Sequence, residues 1–457
     1  MAADPLTTLN DWQSTNAPAD RCAFPVDDLD LLAICADRES GVRSFWHDRD
    51  TGTQVLGIGD WLFGKGAHSG DADRDWRKLN RFLDEQHPEA RLWGGMAFDP
   101  QWEACTQGDC AETDPVWDGF DKGWLVFPLL EVERTADGQT TIFLNWPGAA
   151  RAHPAAIAQL NKALGYLQTV QAHSQWGRLK SQANHTGISP ERSQWSGVFS
   201  EATKGFSDGS LEKVVLARRT DYELHDAISP AEFLQRLLNH PSSTYRFCFF
   251  LPDGKAFLGA TPELLCNLDG QTLRTESVAG TRHCFEEASM DQLAEELLCS
   301  QKDLHEHGVV TSYLEDRLAD LTHDLCQDQI NVLKLANLIH LCVHLRGELR
   351  EGVTPADVIL ALHPTPAVGG LPKVDAVTAI RHAERFSRGW YAGPVGWISA
   401  RNLKMAVGIR SAVCDQRKLH IFSGAGIVCE SDPHAEWDEI DSKCRAILAS
   451  LGVEVIS

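Results

Sequence analysis

The chain has 457 residues, too many for one small core; 43% are hydrophobic and 8% aromatic, ordinary values for a globular protein. It carries 64 acidic against 42 basic residues, a net charge of −22 with no basic stripe, which argues against a nucleic-acid or anionic-membrane partner and means that an anionic ligand needs a local cation. The 13 cysteines show no paired CxxC spacing, the first residues carry no secretory pattern, and no apolar run approaches the ~20 residues of a membrane span, so a reduced cytoplasmic protein is expected.

In chain order, residues 28–35 (DLDLLAIC), 43–47, 54–58, 92–98 (LWGGMAF), 123–130 (GWLVFPLL) and 140–144 read as strands. Gly-Asp and Asp-Gly turns between them suit an antiparallel sheet. Residues 73–83 and 153–175 have helical spacing, the second with Ala156, Leu160, Ala163, Leu164 and Leu167 on one face. The polar stretch 177–194 reads as a linker. The N-terminal part, 1–185, shows no catalytic constellation.

The region 195–457 is denser. Residues 214–217, 245–251, 256–259 and 264–267 read as strands, 290–321 as one or two long helices, 330–335 and 339–343 as short elements, and 374–384 as a helix. Residues 393–398, 403–410 and 420–423 are antiparallel-strand candidates. Strands and helices follow one another without regular βαβ alternation, which predicts an α+β fold.

The most informative stretch is 421–443, IFSGAGIVCESDPHAEWDEIDSK. Phe422 to Val428 reads as a buried strand breaking into a tight, small-residue turn whose free amides can meet an anion. A helix follows, with Asp432 as N-cap and Pro433 at its first position. Trp437, Ile440, Cys444, Ile447, Leu448 and Leu451 form its buried stripe, and Glu436 and Glu439 share one flank. Glu306, in SQKDLHEHGVV, lies on another helix one turn after Asp303. Taken alone these acids read as a solvated helix face. Two or three carboxylates from two helices, without a His/Cys set, suit Mg2+, which takes oxygen ligands, keeps waters and bridges to an anionic substrate. His305 and His307 keep a transition metal conceivable, but the all-carboxylate partner helix favours magnesium.

Four more residues stand out. Lys213 opens the strand run LEKVVLARR, and the alternative is an ordinary strand-edge lysine. Glu263, in GATPELL, sits in an apolar strand-turn context that would raise its pKa and suit a general acid. Arg410 closes AVGIR opposite the glycine turn, on the face of Ala406 and Gly408, where it forks a carboxylate or simply covers a surface strand. Tyr391, in RGWYAGPVG, and the loop HPTPAVGGLPK either connect elements or build a site.

KVVLAR, GATPELL, TESVAGTR, KDLHEH, RGEL, HPTPAVGGLPK, RGWYAGPVG and SGAGIVCESDPHAEWDEIDSK occur in that order, and together they strongly resemble the chorismate-utilising enzymes, which include isochorismate, salicylate, anthranilate and aminodeoxychorismate synthases. The resemblance covers residues 195–455. It implies one large α+β unit in which two antiparallel β-sheets pack together with helices outside, the site lies in a cleft between them, and the N-terminal half is part of the unit. It implies chorismate as small-molecule substrate and Mg2+ as cofactor. Lys213 matches the base that activates water, and Glu263 the acid that protonates the departing hydroxyl. Glu306 and Glu439 match metal ligands, with Glu436 and Asp303 beside them. Tyr391, Arg410, Thr281 and the amides of Gly424, Ala425 and Gly426 match groups that hold the substrate, and His340 matches a cleft histidine near its ring.

Within the family, Ala279 stands where one kind of aminodeoxychorismate synthase has a nucleophilic lysine, and the presence of Lys213 disfavours ammonia-using members. Isochorismate synthase is the favoured reading, with salicylate synthase as the serious alternative. LWGGMAFDP and LVFPLLEVER resemble the menaquinone-pathway type more than the siderophore type. A catalytically silent binder of small dianions is the alternative of another class. The oligomeric state is open.

Overall fold

The computed structural model describes residues 21–26, 29–36, 41–59, 61–63, 78–79, 81–84, 90–101, 114–145, 158, 180–283, 290–334 and 338–456. Among these, 13 strands form one sheet and 10 form a second. The first runs, edge to edge, through Arg21–Val26, Thr140–Asn145, Leu130–Arg134, Gln54–Gly59, Val42–His47, Tyr245–Phe250, Ala256–Thr261, Ser411–Asp415, Lys418–Ile427, Lys213–Leu224, Ser181–Ser189 and Val453–Ile456, with Gly370–Leu371 beside Lys213. The second runs through Thr322–Gln327, Leu338–Leu349, Thr272–His283, Leu264–Asp269, Leu403–Val407, Pro394–Ile398, Leu92–Met96, Gly123–Phe127 and Trp61–Phe63, with Asn331–Lys334 beside Leu338–Leu349. Pairing is antiparallel except where Val453–Ile456 lies parallel to Ser181–Ser189.

Each sheet joins a block of strands from the N-terminal half to a block from the C-terminal half through one pairing. Val42–His47 pairs with Tyr245–Phe250, and Leu92–Met96 with Pro394–Ile398. The core between the sheets is aromatic: Trp124 and Trp390 meet at 4.8 Å between ring centroids, with Phe120, Phe249 and Phe257 around them. Burial of such rings is the main stabilising term here. A second cluster lies on the other face of the first sheet, beneath helices Leu31–Ala36, Pro230–Asn239 and Pro433–Ser450.

Three sequence expectations change. Residues 31–36 form a helix where a strand was expected; Asp30 Oδ1 accepts from Ala33 N at 3.0 Å and starts it. The stretch read as a linker contains strand Ser181–Ser189, which is paired on both sides; its mostly polar side chains, nearly all partly or fully exposed, hide that role. The run 123–130 breaks at Pro128, before which it belongs to the second sheet and after which to the first. The helix expected over 153–175, and most of the one expected over 73–83, lie outside the described residues.

Two further passages between the sheets place the site. Strand Ala256–Thr261 of the first sheet continues through Pro262 and Glu263 into Leu264–Asp269 of the second. Strand Leu403–Val407 of the second continues through Gly408, Ile409 and Arg410 into Ser411–Asp415 of the first. The two passages are joined by backbone bonds, Val407 N to Glu263 O at 3.0 Å and Ala260 N to Arg410 O at 3.2 Å. A carboxyl and a guanidinium are thereby set next to each other where the sheets part.

Candidate active site

At this seam lies a cavity of about 290 Å³, lined by Lys213, Glu263, Glu306, His340, Tyr391, Arg410, Gly424, Gly426, Glu436, Glu439 and Lys443 among others. Nearly every site residue expected from the sequence is on that surface. Thr281 sits opposite His340 in the strand register, and its side chain lies outside the described residues.

The floor is made by strand Lys418–Ile427. The sequence reading took residues 424–426 for a turn, but strand Lys418–Ile427 runs straight through them and the turn follows, where Val428 N donates to Ser431 Oγ at 3.2 Å. Val215 N and Ala217 N donate away from this strand, to Gly369 O at 2.8 Å and Glu384 Oε1 at 2.7 Å. Their cross-strand partners, Gly426 and Gly424, must then also direct their amides away from the pair, because antiparallel pairs alternate between bonded and non-bonded. On that side the hairpin partner ends at Ser411 opposite Phe422. Gly424 and Gly426 therefore offer amides to the open seam, whereas the Ala425 amide belongs to the ladder with Leu216. The glycines are small for a reason of space. A Cβ at 424 falls 3.1 Å from the Tyr391 hydroxyl, and one at 426 falls 3.1 Å from Lys213 Cε.

Lys213 is buried at the head of its strand, and its Nζ donates to Glu306 Oε1 at 2.8 Å. Glu263 is 6% exposed, and burial raises its pKa to about 8 against the opposing pull of Lys213. It is thus a carboxyl that keeps its proton near neutrality. Tyr391 stacks on Phe422 at 5.5 Å between centroids.

Arg410 is not on a strand face as expected. It occupies the passage between the sheets at φ 50°, a left-handed backbone that costs a non-glycine residue on the order of 1 kcal/mol. This turns its Nη2 to His340 Nε2 at 3.0 Å, while His340 Nδ1 donates to Gly280 O at 3.3 Å. The two neighbours define one neutral tautomer for His340. Desolvation pushes the Arg410 pKa down to about 10.

The acids stand on two helices. Helix Pro433–Ser450 begins as the sequence predicts, with Asp432 Oδ1 accepting from His434 N and Ala435 N, and it buries Trp437, Ile440, Cys444, Ile447 and Leu448. Glu436 is 7% exposed and its pKa is raised, first by burial and then by Glu439. Glu439 pairs with Lys443 at 2.7 Å. On helix Gln301–Ala319, Asp303 is tied to Ser300 and to Arg282, whose Nη1 donates at 3.0 Å, so it faces a cation of its own.

Among the described residues no three His, Cys, Asp or Glu side chains converge into a finished metal centre. The donor set nonetheless fits magnesium. It is all carboxylate, one acid is buried beside another one turn away, and Mg2+ is commonly held by one or two carboxylates together with waters and substrate oxygens. Lys443 was missed in the sequence. Its Nζ donates to the Gly424 carbonyl at 2.9 Å and so joins the helix to the floor strand. Its position four residues after Glu439, on the same helix face, was the available signal.

The chain matches the chorismate binding enzyme family over residues 10–452. It belongs to that family. The isochorismate synthase MenF of Bacillus subtilis (strain 168) is 28% identical over 446 residues, covering 94% of this chain and 92% of that one. The isochorismate synthase MenF of Escherichia coli (strain K12) is 30% identical over 439 residues, 94% and 93% of the two chains. The solved structure of MenF, the menaquinone-specific isochorismate synthase from Escherichia coli, superposes with a TM-score of 0.81 at 28% identity over 98% of each chain. This chorismate-binding enzyme therefore has the two-sheet α+β fold that the motifs implied. No helix among the described residues is long and apolar enough to cross a membrane.

Proposed function

We propose that the chain is an Mg2+-dependent isochorismate synthase, an isomerase converting chorismate to isochorismate in menaquinone biosynthesis. The observation that carries this reading is the sharing of one cavity by a buried amine, Lys213, and a carboxyl, Glu263, protonated up to about pH 8. The reaction adds water at C2 of the ring and removes the hydroxyl at C4. It needs a base and an acid but no redox centre.

In this reading Lys213 Nζ takes the proton of the attacking water. Glu263 gives its proton to the leaving C4 oxygen and is left as the carboxylate. Proton transfer from product water to Glu263 and from Lys213 to solvent restores the start. Arg410, held by His340, and the amides of Gly424 and Gly426 fix the substrate carboxylates, and Tyr391 bounds the ring. Glu306, Glu436 and Glu439 would hold magnesium, which supplies orientation and electron withdrawal at the ring carboxylate.

The menaquinone assignment is supported by the two MenF relatives, each matched over 94% of this chain. A cytoplasmic location belongs to the same reading and accords with nine free cysteines among the described residues. The experiment is incubation of the purified protein with chorismate and Mg2+ and chromatography of the products. Isochorismate is expected; salicylate with pyruvate would overturn the assignment.

A further inference from the structure

Arg49 comes from the N-terminal half and reaches the seam from the turn between strands Val42–His47 and Gln54–Gly59. The turn is clamped. Asp48 Oδ1 accepts from the amides of Asp50 at 2.8 Å and Thr51 at 3.1 Å. Lys404 Nζ donates to Asp48 Oδ2 at 2.6 Å and Asp50 Oδ2 at 2.9 Å, and the Tyr245 hydroxyl donates to Asp50 Oδ2 at 2.7 Å. The Arg49 guanidinium lies 4.5 Å over the Tyr245 ring. From there Nη1 donates to Pro262 O at 2.6 Å, the carbonyl next to Glu263, and to Glu276 Oε2 at 3.3 Å, while Nη2 donates to Glu276 Oε1.

Glu276 is a second buried carboxyl, 7% exposed, on strand Thr272–His283. Two carboxyls that feel each other do not both ionise cheaply in a desolvated site. Arg49 forks Glu276, and His344 Nε2 stands 3.6 Å from it. The other groups facing Glu263 are Lys213, Arg410 and Lys443, with the Tyr391 hydroxyl and the Cys342 thiol also within its field.

We propose that Arg49 is a positioning residue for the proton donor: it holds the Pro262–Glu263 passage in place and offsets the negative charge that Glu276 sets against Glu263, so that Glu263 keeps its proton without holding it too tightly to give it up. This rests on the reading of Glu263 as the acid, and it gives the N-terminal half a part in the chemistry. With the Arg49 cation removed, the charge on Glu276 is uncompensated and Glu263 holds its proton more tightly. With the Glu276 charge removed, Arg49 remains and Glu263 releases its proton more readily.

The titration midpoint of Glu263 is read by carboxyl 13C NMR, with Glu263→Gln assigning the resonance, and in parallel by the alkaline limb of kcat/KM for chorismate. Arg49→Gln should raise the midpoint by on the order of one pH unit, Glu276→Gln should lower it by a similar amount, and the double variant should return it toward the wild type. Arg49→Lys keeps the charge and should leave the midpoint near its wild-type position, while kcat falls about 10- to 100-fold because the fork that aims the passage is lost. Midpoints that stay put in both single variants overturn the proposal; should Arg49→Gln fail to fold, an unmoved midpoint in Glu276→Gln does so by itself. Midpoints that move as stated while the kinetic limb does not follow uphold Arg49 and instead remove Glu263 as the proton donor.

Discussion

Lys213 Nζ lies 2.8 Å from Glu306 Oε1, and a Cβ at residue 426 would stand 3.3 Å from the same oxygen and 3.6 Å from the same nitrogen. The floor strand is thus bare where the amine and the acid meet. Gly426→Ala should leave stability within about 1 kcal/mol of the wild type, because the atoms it crowds are the ends of flexible side chains. Its kcat/KM for chorismate should fall at least about 100-fold, because Lys213 and Glu306 are displaced and substrate space is filled. Thermal melting and steady-state kinetics on one preparation check both halves.

Glu263 determines two effects of pH, and both are losses as the pH rises. Only its protonated form donates, so activity should fall as pH rises through about 8. Glu263→Gln should lose about 10²- to 10⁴-fold in kcat, with that limb gone from what activity remains. Stability follows the same proton. A carboxyl whose folded pKa is raised keeps its proton in the native state after the unfolded chain has released it. The native state therefore loses relative stability between the ordinary glutamate value of 4.5 and about 8. Glu263→Gln removes that loss, so its melting temperature should exceed that of the wild type at pH 8 and match it near pH 4.

Glu436 is a buried acid with a raised pKa and another acid one turn away. Glu436→Gln should stabilise the metal-free protein and weaken its response to magnesium. The rise in melting temperature on adding millimolar Mg2+, expected for the wild type by mass action, should shrink or vanish in the variant. An undiminished rise would take Glu436 out of the metal site.

Arg410 reaches the cavity at the cost of a left-handed backbone, and its Nη2 lies 3.0 Å from His340 Nε2. Arg410→Lys keeps a cation but not the planar fork. KM for chorismate should rise by about 10- to 100-fold, the loss expected for one or two charged hydrogen bonds. Initial rates over a range of chorismate concentrations measure it.

Much of this was legible in the chain. The runs at 43–47, 54–58 and 140–144 are strands close to their expected limits: the first two are short runs buried on both faces, and the third buries alternate residues over its first part. The helix after Asp432 was readable from its cap and its stripe. Residues 31–36 were not, since a six-residue apolar run carries no period that separates strand from helix. Residues 181–189 looked like a linker because their strand is paired by backbone and shows mostly polar side chains to solvent. Gly424 and Gly426 suggested a turn, where in fact they clear space inside a strand. Arg49 carried no signal at all, because its meaning comes from Pro262 and Glu276, more than two hundred residues away.

The most direct test of the central claim, water activated by Lys213 while Glu263 releases the C4 hydroxyl, is turnover of chorismate in 18O-labelled water with Mg2+, followed by mass spectrometry of the product at low conversion. The account predicts isochorismate carrying one 18O in its ring hydroxyl, with Lys213→Ala unable to form it at more than a trace. Unlabelled isochorismate, or labelled isochorismate formed at an undiminished rate by Lys213→Ala, would contradict it.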